Sequence, residues 1–258
     1  MAQEQPAQAP ACGGDKIAQA LVSRVVDART LVLDDGREVR LAGIETPPLA
    51  RPEDPATAPG SAAARDALVA LAEGDEVVLR QAETPSDRYR RLVAYAYTER
   101  DGAEFFTQGE LISSGFARVS GQVGSRACAG ELLGREKAAR SAKLGLWANS
   151  YYDVLNAETP ADVLARRGRF ALVEGKVVSV RESGATIYLN FERRWSEGFA
   201  VTVLKRNERN FAAAGLDLKS LAGRRVLVRG WIEERGGERA SPWIEAARPE
   251  QIETADLK

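Results

Sequence analysis

Residues 25–48 read VVDARTLVLDDGREVRLAGIETPP. Apolar runs are separated by DART at 27–30 and by DDG at 34–36. Asp35-Gly36 between LVL and REVRL is a strong hairpin signal, because both residue types tolerate the positive φ that a tight turn demands. With the ALVSR that precedes it, the stretch predicts a three-stranded meander over residues 18–45. Its last strand delivers Arg40, runs through small apolar residues and ends on Glu45, Thr46 and two prolines. A guanidinium and a carboxylate gathered at one strand end point to charge chemistry on a phosphate. The bland alternative is a structural ion pair capping the strand.

Outward from this meander, LARPEDPATAPG (49–60) reads as a Pro-rich surface loop. A helix follows from Ser61, taken as its N-cap, to Gly74. EVVLRQ (76–81) and RLVAYAYTE (91–99) are strands joined by AETPSDRYR, and helices are expected around 104–115 and 126–144. Five strands with helices inserted late suit a five-stranded barrel of the oligonucleotide-binding (OB) kind over residues 17–147. Residues 148–168 form a linker with a short helix after Thr159-Pro160. RFALVEGKVVSV, ATIYLNFE, GFAVTVLK, a helix at FAAAGLDLKSLAG, RRVLVRGWIEE and SPWIEAARPEQIE then repeat the order three strands, helix, two strands over 169–254. The fold class is therefore mainly β with α (α+β): two five-stranded OB-like barrels, without enough identity between them to mark an internal repeat.

The chain has no histidine. That excludes Ser-His-Asp and Cys-His catalysis and most zinc enzymes. Two cysteines cannot build a Cys₄ site, so any metal is expected to be a hard cation held by oxygens. The net charge of −1 makes the chain as a whole no magnet for nucleic acid, although residues 169–258 carry 16 Lys and Arg against 13 Asp and Glu and are mildly basic. No apolar run approaches the roughly 18 residues of a membrane span. The start, MAQEQPAQAPACGGDK, reads as a disordered segment over 1–16 of the kind left after signal cleavage, which implies a periplasmic or secreted protein. In a cytosolic protein Cys12 and Cys128 would be two free thiols; in an exported one they form a disulfide, whose loop of over 100 residues would be worth about 4–5 kcal/mol by chain entropy.

Four motifs in order, VVDARTLVLDDGREVRLAGIETPP, DRYRRLVAYAY, GELISSGFARV and REKAARSAKLGLW, resemble the thermonuclease (staphylococcal nuclease-like) family over about residues 20–147. The resemblance implies a five-stranded barrel with three helices and Ca²⁺-dependent phosphodiester hydrolysis. It places the two phosphate-binding arginines on Arg40 and Arg91, the strand-end calcium carboxylate on Glu45, the adjacent threonine on Thr46, and a near-metal aspartate on Asp27. Two positions depart from it. The metal-binding aspartate falls on Arg29, and the water-activating glutamate falls on Pro48. Downstream, Arg90 stands where the family has a glycine, beside Tyr89. A cation where a calcium ligand belongs repels the metal by several kcal/mol before screening, and losing a general base costs about 10²–10⁴ in rate. Arg29, Arg40, Arg91 and Tyr89 are thus expected to form an anion pocket with little or no hydrolysis. On this reading no cofactor is needed; Ca²⁺ is expected only if hydrolysis survives, with Glu53 or Asp54 as substitute base. Arg88, Arg90 and Arg91 could equally be a solvated charge run.

In the second barrel, Tyr188, Phe191, Trp195, Phe199, Trp231 and Trp243 are interleaved with arginines and lysines. Single-strand binding uses that mixture, with bases stacked on rings and cations along phosphates. Tyr188 and Phe199 are expected in the core, and Trp195 is the candidate exposed stacking residue. Three functions follow: an exported, non-catalytic binder of nucleic acid or another phosphate-bearing ligand, an active calcium-dependent nuclease, or a scaffold for a protein partner in the cell envelope.

Overall fold

Two tight turns set the first meander. Strand β1 (Lys16–Asp27) reverses through Ala28-Arg29 into β2 (Thr30–Leu33), and β2 turns through residues 34–37 into β3 (Glu38–Leu41). At the second turn Gly36 takes φ 84°, while the Arg37 N–H donates to Asp35 Oδ1 at 2.9 Å. The computed structural model describes residues 10–49, 58–194, 197–236 and 240–254. It divides into two units, residues 1–119 with 123–148 and residues 120–122 with 149–258.

In the first unit, β4 (Glu76–Ser86) lies antiparallel to β1, and β5 (Leu92–Arg100) antiparallel to β4. β5 then runs parallel to β3, pairing Val39 with Leu92 and Arg40 with Val93. That pairing closes the circuit of five strands into a barrel. Its interior takes Val22, Val25, Leu31, Leu33, Val39, Leu41, Val77 and Leu79, all essentially inaccessible. Each such side chain contributes about 1.5–3 kcal/mol relative to exposure. Helices α1 (Ser61–Ala72), α2 (Thr107–Ser113) and α3 (Arg126–Ser141) pack Leu68, Leu111, Ile112 and Leu132 into the same core. Among the described residues no helix is long and apolar enough to cross a membrane.

Several expectations are corrected. The N-cap of α1 is Gly60 at φ 81°, with Ser61 its first helical residue; a Cβ at Gly60 would meet Leu146 at 2.8 Å. Residues 103–106 are a strand, not helix, because Asp101 and Gly102 both take positive φ and make a second hairpin off β5. Residues 10–16 are ordered onto the barrel, with Cys12 fully buried and β1 starting at Lys16; residues 1–9 lie outside the described residues.

The second unit repeats the circuit. The first strand is broken at Val177-Val178 into β6 (Phe170–Lys176) and β7 (Ser179–Ser183). β8 (Thr186–Asn190) pairs with β7, and β9 (Ala200–Leu204) with β8. After the connector come β10 (Arg225–Trp231), antiparallel to β6, then β11 (Glu233–Arg235), and finally β12 (Ser241–Glu245), antiparallel to β11 and parallel to β9. Strand three thus meets strand five in parallel, as in the first unit. The expected linker belongs to this unit: Leu155–Asn156 pairs with β6, and helix α4 (Pro160–Leu164) buries Val163. The connector helix α5 spans Lys205–Ala213 rather than 211–223, since the polar KRNERN run forms its outer face and Phe211 alone is buried. Phe199 and Phe191 enter the core as alternation requires, but Tyr188 faces the opposite side and is half-buried.

Cys12 and Cys128 form a disulfide spanning 116 residues of sequence, and both are fully buried. Reducing it, or replacing both with Ser, is expected to destabilise the first unit by about 3–5 kcal/mol through restored unfolded-state entropy. The denaturant midpoint, measured with and without reductant, checks this; an unchanged midpoint contradicts it.

Candidate functional site

Arg29 sits in the turn between β1 and β2. The Asp27 Oδ1 accepts the Arg29 N–H at 2.9 Å, and the Arg29 carbonyl accepts the Leu41 N–H at 2.8 Å, so the turn is fixed both locally and to β3. From there the Arg29 guanidinium donates to Glu45 Oε2. Arg40, on β3 opposite Thr30, points away from the barrel core and reaches Glu45 Oε1 at 3.7 Å. One nearly buried carboxylate, 8% exposed, thus faces two guanidiniums. Glu45 itself lies on a two-residue bridge, Ile44–Glu45, paired with Arg118–Val119.

The third arginine is set by the turn before β5. Asp87 Oδ1 accepts the Tyr89 N–H at 2.9 Å and the Arg91 N–H at 3.1 Å. Its Oδ2 takes Arg91 Nε at 2.8 Å and Nη2 at 2.7 Å. Arg91 Nη1 leans toward Thr30 Oγ1 at 3.5 Å, beside Arg40 in the β2–β3 register. Arg90 takes φ 64°, the left-handed region a glycine enters freely and an arginine enters at a cost. Tyr89 is 63% exposed, with the guanidinium carbon of Arg88 4.8 Å and that of Arg91 5.3 Å from its ring centre.

The electrostatics follow from this crowding. Burial, and then the positive charge of Arg29, pull the Arg40 pKa below that of free arginine; Glu45 works against the shift, Arg91 adds to it, and Asp87 again opposes it. Arg40 remains a cation throughout the physiological range. For Asp87, burial opposes ionisation, but hydrogen bonds from the Arg91 side chain and from the backbone N–H groups of Arg91 and Tyr89 prevail. Its carboxyl is held below the usual range.

Of the residues singled out from sequence, Arg29, Arg40, Glu45 and Arg91 come together, with Tyr89 exposed beside Arg91. Thr46 is buried next to Glu45. Asp27 shapes the Arg29 turn. Pro48 is exposed and carries no group able to take a proton. Trp195, Glu53 and Asp54 lie outside the described residues. Two residues were not foreseen. Asp87 is the clamp on Arg91, signalled by its position four before an arginine. Glu136, almost fully buried, accepts the Val119 N–H at 2.7 Å and so buttresses the bridge that carries Glu45. Its signal is a carboxylate on the buried stripe Leu132, Glu136, Ala139 of α3.

Ca²⁺ asks for 6–8 oxygen ligands, several of them anionic. Here both Glu45 oxygens face guanidiniums and one Asp27 oxygen is committed to a turn. Among the described residues no group of three or more His, Cys, Asp or Glu could hold a metal ion. Among the described residues this donor set does not fit a calcium ion. Arginine forks match phosphate geometry, and arginine does not lose its charge when desolvated.

Replacing Asp87 with Asn should free the Arg91 guanidinium and destabilise the turn. Because the folded carboxyl titrates below the unfolded one, its contribution is complete well above the ordinary value of about 3.9 and is lost as pH falls through the lowered folded value. The gap in urea midpoint between the native chain and Asp87→Asn is expected to close in acid; a gap independent of pH contradicts the clamp.

The family model of Staphylococcal nuclease homologues matches residues 38–149. Arg40, Glu45, Thr46, Pro48, Tyr89 and Arg91 fall within the match, while Asp27 and Arg29 precede it. Among curated proteins, the Thermonuclease of Staphylococcus intermedius is 35% identical over 102 residues, which cover 38% of this chain and 58% of that protein. The matched part thus spans little more than half of the relative's length. Over residues 38–149 the chain is thus similar to the staphylococcal nuclease homologues, and over 102 residues to a thermonuclease.

Proposed function

We propose that the first unit binds a phosphate-bearing ligand, nucleic acid in the first instance, in the pocket of Arg29, Arg40 and Arg91, and that its phosphodiester hydrolysis is impaired or absent. The observation that carries this reading is the Arg29 guanidinium lodged on Glu45, with Arg40 on the other carboxylate oxygen. Hydrolysis needs an activated water and a place for developing negative charge. The arginines supply the second. Pro48 supplies no base for the first, and Arg29 already occupies the carboxylate that a calcium ion would need. Three guanidiniums stand against the two carboxylates that hold them, Glu45 and Asp87, which leaves one positive charge for a phosphate.

We also infer an exported location, periplasmic or secreted. The support is redox chemistry: the two cysteines of the chain are joined and buried, and disulfides persist in oxidising compartments. Titration of thiols on denatured, unreduced protein taken directly from cells tests it, two reactive thiols being the adverse result.

Incubation with single-stranded DNA and RNA, with Ca²⁺ or with a chelator, separates the functional readings. Binding without cleavage is expected, with affinity falling roughly tenfold to a hundredfold in Arg40→Ala or Arg91→Ala, as the loss of a charged hydrogen bond implies. Calcium-dependent cleavage abolished by Arg91→Ala would instead establish an active nuclease with a substitute base. Absence of binding even at low salt, where phosphate contacts are strongest, would leave a scaffold with a protein partner and a structural ion pair.

A further inference from the structure

The second unit holds a cleft of about 470 Å³ lined by Arg181, Glu182, Ser183, Tyr188, Asn190 and Arg235. We infer that this cleft is a second, independent site for single-stranded nucleic acid, with a base stacked against Tyr188 and the phosphate strand held by Arg181 and Arg235. The inference goes beyond the pocket of the first unit and does not depend on it.

The strand register brings these groups together. Arg181 on β7 lies directly opposite Tyr188 on β8, so both side chains share one face of the sheet. Asn190, two residues along β8, shares that face as well. From β11, Arg235 sets its guanidinium carbon 5.5 Å from the Tyr188 ring centre. The ring is half-buried and its partner is planar, so a third planar group can enter the stack at little cost in ordering. Asn190 is 97% buried in the same lining, and among the described residues its amide nitrogen reaches only Ser179 Oγ, at 3.4 Å. The Asn190 carbonyl oxygen and second N–H can therefore read a base edge.

Charge favours a phosphate strand over a neutral ligand. Among the described residues Arg181 forms no ion pair. Among the described residues the one carboxylate in the lining, Glu182, is held by Lys205 and Lys219, each at 2.8 Å. Those two ammonium groups bring its pKa down to about 2, so it is ionised but already paired, and it adds little repulsion toward a polyanion. Glu208 and Asp217 lie near Lys219 in turn. An acidic peptide would use the same cations but has no need of the ring stack, and the stack is what selects a base.

The test uses the full chain carrying Arg40→Ala and Arg91→Ala, which silences the first pocket. Fluorescence anisotropy follows labelled oligothymidylate and oligouridylate of about 8 nucleotides, within the site size of one such barrel. Residual low-salt binding is expected, weakened at least about fivefold by Tyr188→Ala, retained by Tyr188→Phe, and given a shallower salt dependence, by about 0.7, in Arg181→Ala. Unchanged affinity in Tyr188→Ala and Arg181→Ala overturns the site, as does a background that binds neither oligonucleotide or that prefers a polyglutamate peptide. Should the silenced background fail to fold, photocrosslinking of bromouridine-substituted oligonucleotide to the unmutated chain decides. Crosslinked peptides from 179–190 support the site, and crosslinks confined to the first unit overturn it.

Discussion

A single carboxylate organises the first unit's pocket. Glu45 is almost out of contact with water, and an isolated charge at such a depth would cost several kcal/mol. Two guanidiniums meet that cost, Arg29 on one oxygen and Arg40 on the other. The pair is asymmetric. Arg29 makes a direct hydrogen bond, whereas Arg40 stands 3.7 Å off, too far for one. Burial first, and then the charges of Arg29 and Arg91, act against the charge of Arg40. On the proposed reading, a phosphate would relieve that repulsion at Arg40 without having to break the bond between Arg29 and Glu45.

The scaffold fixes each partner through the backbone rather than through side-chain packing alone. Arg29 is placed by the Asp27 turn and tied to β3; Arg91 by three contacts to Asp87, one from its backbone N–H, while the Tyr89 N–H donates a fourth; Glu45 by a bridge that Glu136 holds from α3. Each of these devices consumes a carboxylate. Where a metal-dependent hydrolase gathers its acids around an ion, this pocket spends them in positioning arginines. The same acidic residues cannot do both, because an oxygen engaged with a guanidinium is a poor ligand for a dication beside that guanidinium.

Much of this was legible in the sequence, for identifiable reasons. The Asp35-Gly36 turn and the alternation around it announced the first meander, whereas the two cysteines left free thiols and a disulfide both open until the structure joined them. The Arg40 and Glu45 juxtaposition could be read because they lie five residues apart in one short stretch, although β3 ends at Leu41 and Glu45 sits on its own bridge to Arg118–Val119. The hairpin at Asp101-Gly102 carried the same turn chemistry as the first, but the apolar run after it, AEFF, suits a helix as well as a strand; pairing with β5 decided. Asp87 and Glu136 were hidden for a different reason. Their partners are a main-chain N–H and a residue on another element, and neither leaves a pattern in the side-chain sequence. The ordered Cys12 segment and the pairing of Leu155–Asn156 with β6 were hidden likewise, since long-range strand pairing overrides the polar composition that suggested loops.

The two units close the same circuit of strands, with strand three parallel to strand five, yet they treat their arginines in opposite ways. In the first, Arg29, Arg40 and Arg91 are each bonded to or face a carboxylate, so on the proposed reading affinity for an anion is what remains after those pairs. In the second, the carboxylate in the cleft is neutralised by lysines from the neighbouring connector, which leaves Arg181 and Arg235 uncommitted to acids among the described residues. A shared barrel therefore dictates where a site can lie and not how strongly it binds. The chemistry is set by which cations the surrounding acids have already claimed, and by that measure the second unit holds the less committed arginines among the described residues.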